Sequence, residues 1–229
     1  MPPHLPEREV EPLKLREKAY VSFTERLMTR EIKAGQFVSQ RELVELTGLP
    51  LGAIRELVPR LEAEGLIKTV PQRGMQVAHV DLNLIRNAFQ YRVFLERGAA
   101  ALFAQTASNA AIAALRAAHE AIIARVKKAA RTGRRDDSLI ADAEATDQSL
   151  HESIIDHLDN EIISKAFRVN WIKIKLIRQN ETRLHDELVE PVMRDHLKVI
   201  AALATRDPVA AAAAMEEHIT NARDRALGR

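Results

Sequence analysis

Four side chains in the second half of the chain have the types and spacing to hold a metal ion: Asp147, His151, His196 and His218. Asp147 and His151 stand four residues apart, so on a helix they share one face. Each ligand candidate has apolar neighbours: Leu150 and Ile154, Leu197 and Ile200, Met215 and Ile219. Three imidazoles and one carboxylate buried together are costly unless they share a partner. A divalent cation supplies one. A His3Asp set suits zinc first, and also nickel, cobalt or manganese. On an octahedral ion four protein ligands leave two positions open, for the oxygens of an effector or for an activated water. The Asp147–His151 pair alone carries little, because Glu181 and His185 repeat its spacing by accident. His4, His79, His119, His157 and His185 are read as ordinary hydrogen-bonded histidines.

Helices must position the four. Asp81 caps a helix over about 82–105, with Ile85, Phe89, Val93, Leu95 and Leu102 as its apolar residues. Further helices are expected over about 109–131, 138–157 (capped by Ser138), 161–182 (holding Trp171) and 188–205. A last one opens on Asp207-Pro208 and runs to about 226. Residues 127–137 read as a charged, solvated connector. Six helices without strand signal make residues 81–229 an antiparallel bundle. Asp147 and His151 fall on its third helix, His196 on the fifth and His218 on the sixth.

The first part of the chain has a different pattern. Pro2, Pro3, Pro6 and Pro12 make residues 1–13 a flexible arm. A helix follows from about Lys14, with Leu15, Ala19, Phe23, Leu27 and Ile32 inward and Gly35 as its stop. Ser39 and Glu42 form a capping box ahead of a short helix. Thr47-Gly48-Leu49-Pro50 is a turn. A second helix runs from Leu51 to about Glu64 and ends at Gly65. Leu66–Val70, Pro71-Gln72-Arg73-Gly74 and Met75–Val80 then read as strand, turn and strand. Residues 14–80 are therefore a helix-turn-helix with a wing, a module that reads DNA. The fold class is mainly α: an N-terminal winged helix-turn-helix followed by the six-helix bundle.

Composition narrows the functions further. The chain of 229 residues has no cysteine, which excludes disulfides, thiolate metal sites and thiol nucleophiles. Apolar residues make up 46% and aromatic residues 4%, which favours closely packed helices over a β-rich fold. No apolar run approaches the roughly 20 residues of a membrane span, and the N-terminus has no apolar signal core. A cytoplasmic protein is expected. Net charge is only +2, so a DNA surface must concentrate its cations on one face, with dimerisation doubling them.

Residues 14–80 resemble the winged helix-turn-helix of the GntR superfamily of transcription factors. The matching residues are the capping box, Arg55-Glu56, the run Leu61-Glu62-Ala63-Glu64-Gly65-Leu66-Ile67, and Arg73-Gly74 in the wing. The resemblance implies that Arg41 and Arg55 contact DNA, and that Arg73 and Gly74 approach the minor groove. A guanidinium suits such positions because it grips guanine or phosphate with two hydrogen bonds. The chain departs from the family at Pro50, Leu51 and Gly52, where a Ser-Arg-Thr type stretch is usual. Pro59 should also remove one hydrogen bond from the second helix and bend or loosen its last turns.

The second part resembles the six-helix, metal-containing ligand domain (FCD type) of the FadR-like branch of that superfamily. It matches the Asp-x-x-x-His pair and the two later histidines at Asp147, His151, His196 and His218. The resemblance implies a metal at the floor of a pocket for a small carboxylate effector. It places Arg92 where a guanidinium pairs with that carboxylate. Asn221, three residues after His218 on the same face, is expected to line the pocket.

The expected protein is a ligand-responsive transcription regulator, not an enzyme. It is expected to act as a homodimer on a double-stranded DNA operator. The alternative is a metal-dependent hydrolase or lyase using the same four ligands, which needs an open position and a general base. A purely structural metal is the third reading.

Overall fold

The computed structural model describes residues 10–132, 136, 138–178 and 186–228. They form two compact units. One holds the described residues up to Leu84, with Ile172 to the end of the helix that contains it. The other holds Ile85–Trp171 and the described residues from Asp186 onward.

The first unit opens on α1 (Val10–Met28). The helix starts ahead of the expected position near Lys14, so residues 10–13 belong to it and not to an arm. Pro12 lies in its first turn, where the missing N–H would be unpaired in any case. Gly35 does not end it. The chain turns after Met28, and Ile32 still reaches the core without helical spacing.

β1 (Phe37–Val38), α2 (Gln40–Thr47) and α3 (Leu51–Ala63) follow. The Ser39 capping box is present in both directions. The Glu42 amide donates to Ser39 Oγ at 3.1 Å, and the Ser39 amide donates to Glu42 at 2.6 Å. Gly48 ends α2 at φ +68°, a left-handed cap that favours glycine. α3 continues through Pro59. β2 (Ile67–Val70) and β3 (Gly74–Val77) make the wing hairpin. The sheet order is β1-β3-β2 and all pairs are antiparallel. β1 escaped the sequence reading, since two residues leave no alternation to see. Phe23, Leu27, Leu43, Ile54, Leu57, Leu61 and Met75 fill this core, and the end of the seventh helix adds Ile172 and Leu176.

The second unit is built from α4 (Leu82–Thr106), α5 (Asn109–Thr132), α6 (Leu139–Asp156), α7 (Glu161–Arg178), α8 (Asp186–Ala204) and α9 (Pro208–Ala226). These are the expected six, within a few residues at each end. Residues 127–132 extend α5 and are not loop. Residues 179–185, including Glu181 and His185, lie outside the described residues, as does His4. Asp207 caps α9 through its side chain, with Pro208 in the first turn. Ser138 is not a side-chain cap. Its hydroxyl instead joins Arg125 and Asp136, a cluster that ties α5 to the start of α6.

The buried face of α4 differs from expectation. It runs through Ile85, Phe89, Arg92, Glu96, Ala99, Ala100 and Phe103. Val93 and Leu95 are only half-buried, and Leu102 is exposed. Two charged residues thus take core positions that the apolar reading gave to others.

Candidate metal centre

α6 brings Asp147 and His151 onto one face, one turn apart, and both are fully buried. α8 adds His196 and α9 adds His218, with exposures of 0% and 2%. One ring nitrogen from each of His151, His196 and His218 lies within 4.8 Å of the others. The His196 and His218 rings are 4.5 Å apart, and His151 stacks on His218 at 5.2 Å. Asp147 Oδ1 lies 3.4 Å from His196 Nε2. The four sequence-predicted ligands therefore meet. Donors held about 2 Å from one ion stand at most about 4 Å apart, so sub-ångström movements close this set around a cation. Imidazole nitrogen and carboxylate oxygen are suitable donors, and the residues fit the ion.

Two more residues complete the surroundings. His151 Nδ1 lies 2.6 Å from Glu96 Oε2. A carboxylate only accepts, so Nδ1 carries the proton and Nε2 keeps its lone pair. Histidine ligands are commonly held this way by a carboxylate behind them. Glu96 is itself gripped by Arg92, with Nε to Oε1 at 2.5 Å and Nη2 to Oε2 at 3.2 Å. Burial alone would push the Glu96 carboxyl up, but the charge of Arg92 and the hydrogen bonds from Arg92 and His151 hold it down, at about 2. It is an anion in the core. On the other side, His119 Nε2 lies 3.0 Å from His196 Nδ1, and His119 is fully buried.

Glu96 and His119 were missed at the level of sequence. A signal was there. His119 continues the stripe Ile112, Leu115, Ile122 on α5, and Glu96 follows Arg92 by one turn on the face of Phe89.

Arg92 is fully buried. Its guanidinium lies 5.1 Å from the Trp171 ring, and Nη2 stands 3.1 Å from both His151 nitrogens. Nη1 is buried with no hydrogen-bond partner. Asn221 lines a cavity of about 20 Å³ with His218, Asp195, Lys198, Ala214 and Glu217. That is room for one water molecule.

In the first unit, Arg41 stands on the first turn of α2 with its side chain 90% exposed, reaching Glu45 at 3.4 Å. Arg55 is exposed on α3, beside exposed Leu51, Gly52, Glu56 and Pro59. Arg73 is exposed at the wing turn, 5.7 Å from the Phe37 ring. Gly74 has φ +88°, and a Cβ there would meet the Val38 carbonyl oxygen at 3.0 Å, so the turn accepts only glycine.

The model of the FCD domain family matches residues 87–221. The Uxu operon transcriptional regulator of Escherichia coli K12 is 26% identical over 207 residues, covering 82% of this chain and 77% of that protein. Among solved structures, a putative GntR transcriptional regulator from Rhodococcus sp. RHA1 matches with a TM-score of 0.72 at 15% identity, over 94% of this chain and 98% of its own. McbR/YncC of E. coli matches with a TM-score of 0.68 at 16% identity, over 92% and 93%. No helix among the described residues is long and apolar enough to cross a membrane.

Proposed function

This chain belongs to the FCD domain family, and on that premise we propose that it is a GntR-type transcription regulator whose DNA binding responds to a divalent metal and a small carboxylate effector. The observation that carries this reading is the buried meeting of His151, His196 and His218, with Asp147 3.4 Å from one of them. A divalent ion held there, zinc first among the candidates, would offer open coordination positions to carboxylate oxygens. Arg92 would exchange its contact with His151 for the effector's carboxylate, and Asn221 would hydrogen-bond the bound molecule from beside His218. The cavity of about 20 Å³ at Asn221 must widen to admit anything larger than water. The acid is therefore expected to select an opened form, which is how a ligand shifts a protein between states.

In the first unit Arg41 and Arg55 would meet the major groove, and Arg73 with Gly74 the minor groove, in a protein working in the cytoplasm. α4 supports a homodimer. Tyr91, Phe94 and Leu102 are exposed along it, Phe94 by 78%, and Gly98 leaves open space between them. A second copy laid along this stripe would cover it.

An enzymatic use of the centre would need a general base near neutral pKa. Glu96 is held far below that by Arg92 and His151.

The test is a selection of operator sequences from random duplex DNA, followed by affinity measurements with zinc, with zinc plus small carboxylic acids, and after chelation. Metal-dependent modulation by an acid is the expected result. Absence of sequence-selective binding at every salt concentration would overturn the reading.

A further inference from the structure

We propose that His119 is a positioning residue of the metal centre: its ring, locked by the Leu115 carbonyl, accepts the Nδ1–H of His196 and so fixes His196 Nε2 as the nitrogen presented to the ion. The inference rests on the metal reading above. His119 Nδ1 lies 2.7 Å from the Leu115 carbonyl oxygen. That oxygen can only accept, so Nδ1 holds the proton. The ring is fully buried, where the uncharged form is the cheaper one to hold. In a neutral imidazole protonated at Nδ1, Nε2 is an acceptor. His196 Nδ1 stands 3.0 Å from it and must donate. With Nδ1 engaged by His119, Nε2 is the nitrogen left to face the ion in the neutral His196 ring, on the side where Asp147 Oδ1 lies at 3.4 Å.

The two rings are edge-to-face, with centroids 5.1 Å apart and planes at 77°. Both the bond and the packing therefore hold the His196 ring at one angle. The direction is set by a backbone carbonyl inside α5 (Asn109–Thr132), which cannot titrate. Glu96 does the same for His151, but with a charged acceptor. His196 instead receives a neutral one, so this half of the centre is oriented without adding negative charge to the core.

The proposal separates from the metal reading in the experiment. In metal-free protein, ¹⁵N-histidine NMR reads the tautomer of His196 directly. The expected result is a proton on Nδ1, with a scalar coupling across the bond to His119 Nε2. In His119→Phe, which keeps a flat ring and loses the acceptor, that tautomer should give way to a mixture. His119→Gln, whose amide oxygen can accept in place of Nε2, should restore it.

Zinc affinity by chelator competition should fall by about 10–100-fold in His119→Phe and return to within a few-fold of wild type in His119→Gln. A wild-type His196 protonated on Nε2 overturns the proposal even if zinc binds. So does unchanged zinc affinity in a folded His119→Phe, or a wild-type zinc complex whose crystal structure shows His119 as a direct ligand. Should His119→Phe not fold, the wild-type tautomer and the His119→Gln affinity decide the matter. If the tautomer is as expected and no variant, wild type included, binds zinc, the metal reading fails and the tautomer assignment stands.

Discussion

Glu96 concentrates the physical problem at the scale of one residue. It is fully buried, paired with buried Arg92, and bonded to His151. Removing one member of a buried pair leaves the other charge unpaired, which typically costs about 3–5 kcal/mol. Glu96→Ala is therefore expected to lower unfolding stability by about that much, read from urea denaturation, and to weaken zinc binding as well. Glu96→Ala at wild-type stability would show that Arg92 finds another counter-ion. The four candidate ligands, Asp147, His151, His196 and His218, could be picked out of the sequence because side-chain type and helix-face spacing coincided there, and the structure brings them together. The residues that hold the ligands could not. Glu96 is a charged group at a core position of α4, which a reading that seeks apolar residues there passes over. Arg92 reads from sequence as facing an effector and His119 as an ordinary hydrogen-bonded histidine, and neither reads as standing behind a ligand. Only the contacts across helices, from α4 to α6 and from α5 to α8, reveal what these side chains face.

At the scale of elements, the capping box and the glycine caps made the helix-turn-helix readable. Each is a local device, encoded within a few residues. Ser39→Ala should cost about 1 kcal/mol of stability at neutral pH, measured by thermal or urea unfolding. Glu42 is held below its ordinary value by the Ser39 backbone and hydroxyl. A carboxyl with a depressed folded value stabilises above its unfolded pKa and loses that contribution as pH falls through the folded one. Acidification below about 4.3 should therefore weaken the start of α2, and Glu42→Gln should flatten this part of the stability–pH curve. An unchanged curve would show that the reciprocal bond contributes nothing in solution. The misplaced features at this scale were α1, which begins at Val10, and the two-residue β1. Proline in a first turn misled one, and the other pairs with β3 far along the chain.

For the whole molecule, composition and helical periodicity were enough to specify a mainly α protein, and the match of residues 87–221 to the FCD family agrees with that class. The exposed stripe on α4 gives a test of assembly. Phe94→Glu should convert a dimer to a monomer in sedimentation experiments, with little change in the stability of the fold, because Phe94 is 78% exposed in the single chain. A dimer that persists would place the contact elsewhere. Chelation should lower the melting temperature, because an ion that binds only the folded state stabilises it by mass action. Equal melting temperatures with and without zinc would count against a metal at this centre.

The near-complete enclosure of the three imidazoles, none more than 2% exposed, also bears on time. An ion cannot reach them by diffusion alone and must wait for the helices to part. Loading should then follow the rate of that opening, so that stopped-flow binding rates level off as zinc concentration rises. A rate that climbed in proportion to zinc up to the diffusion limit would mean an open door. Slow exchange would give a sensor built on this centre memory: the state it reported would reflect the ions of the recent past, averaged over the interval between openings.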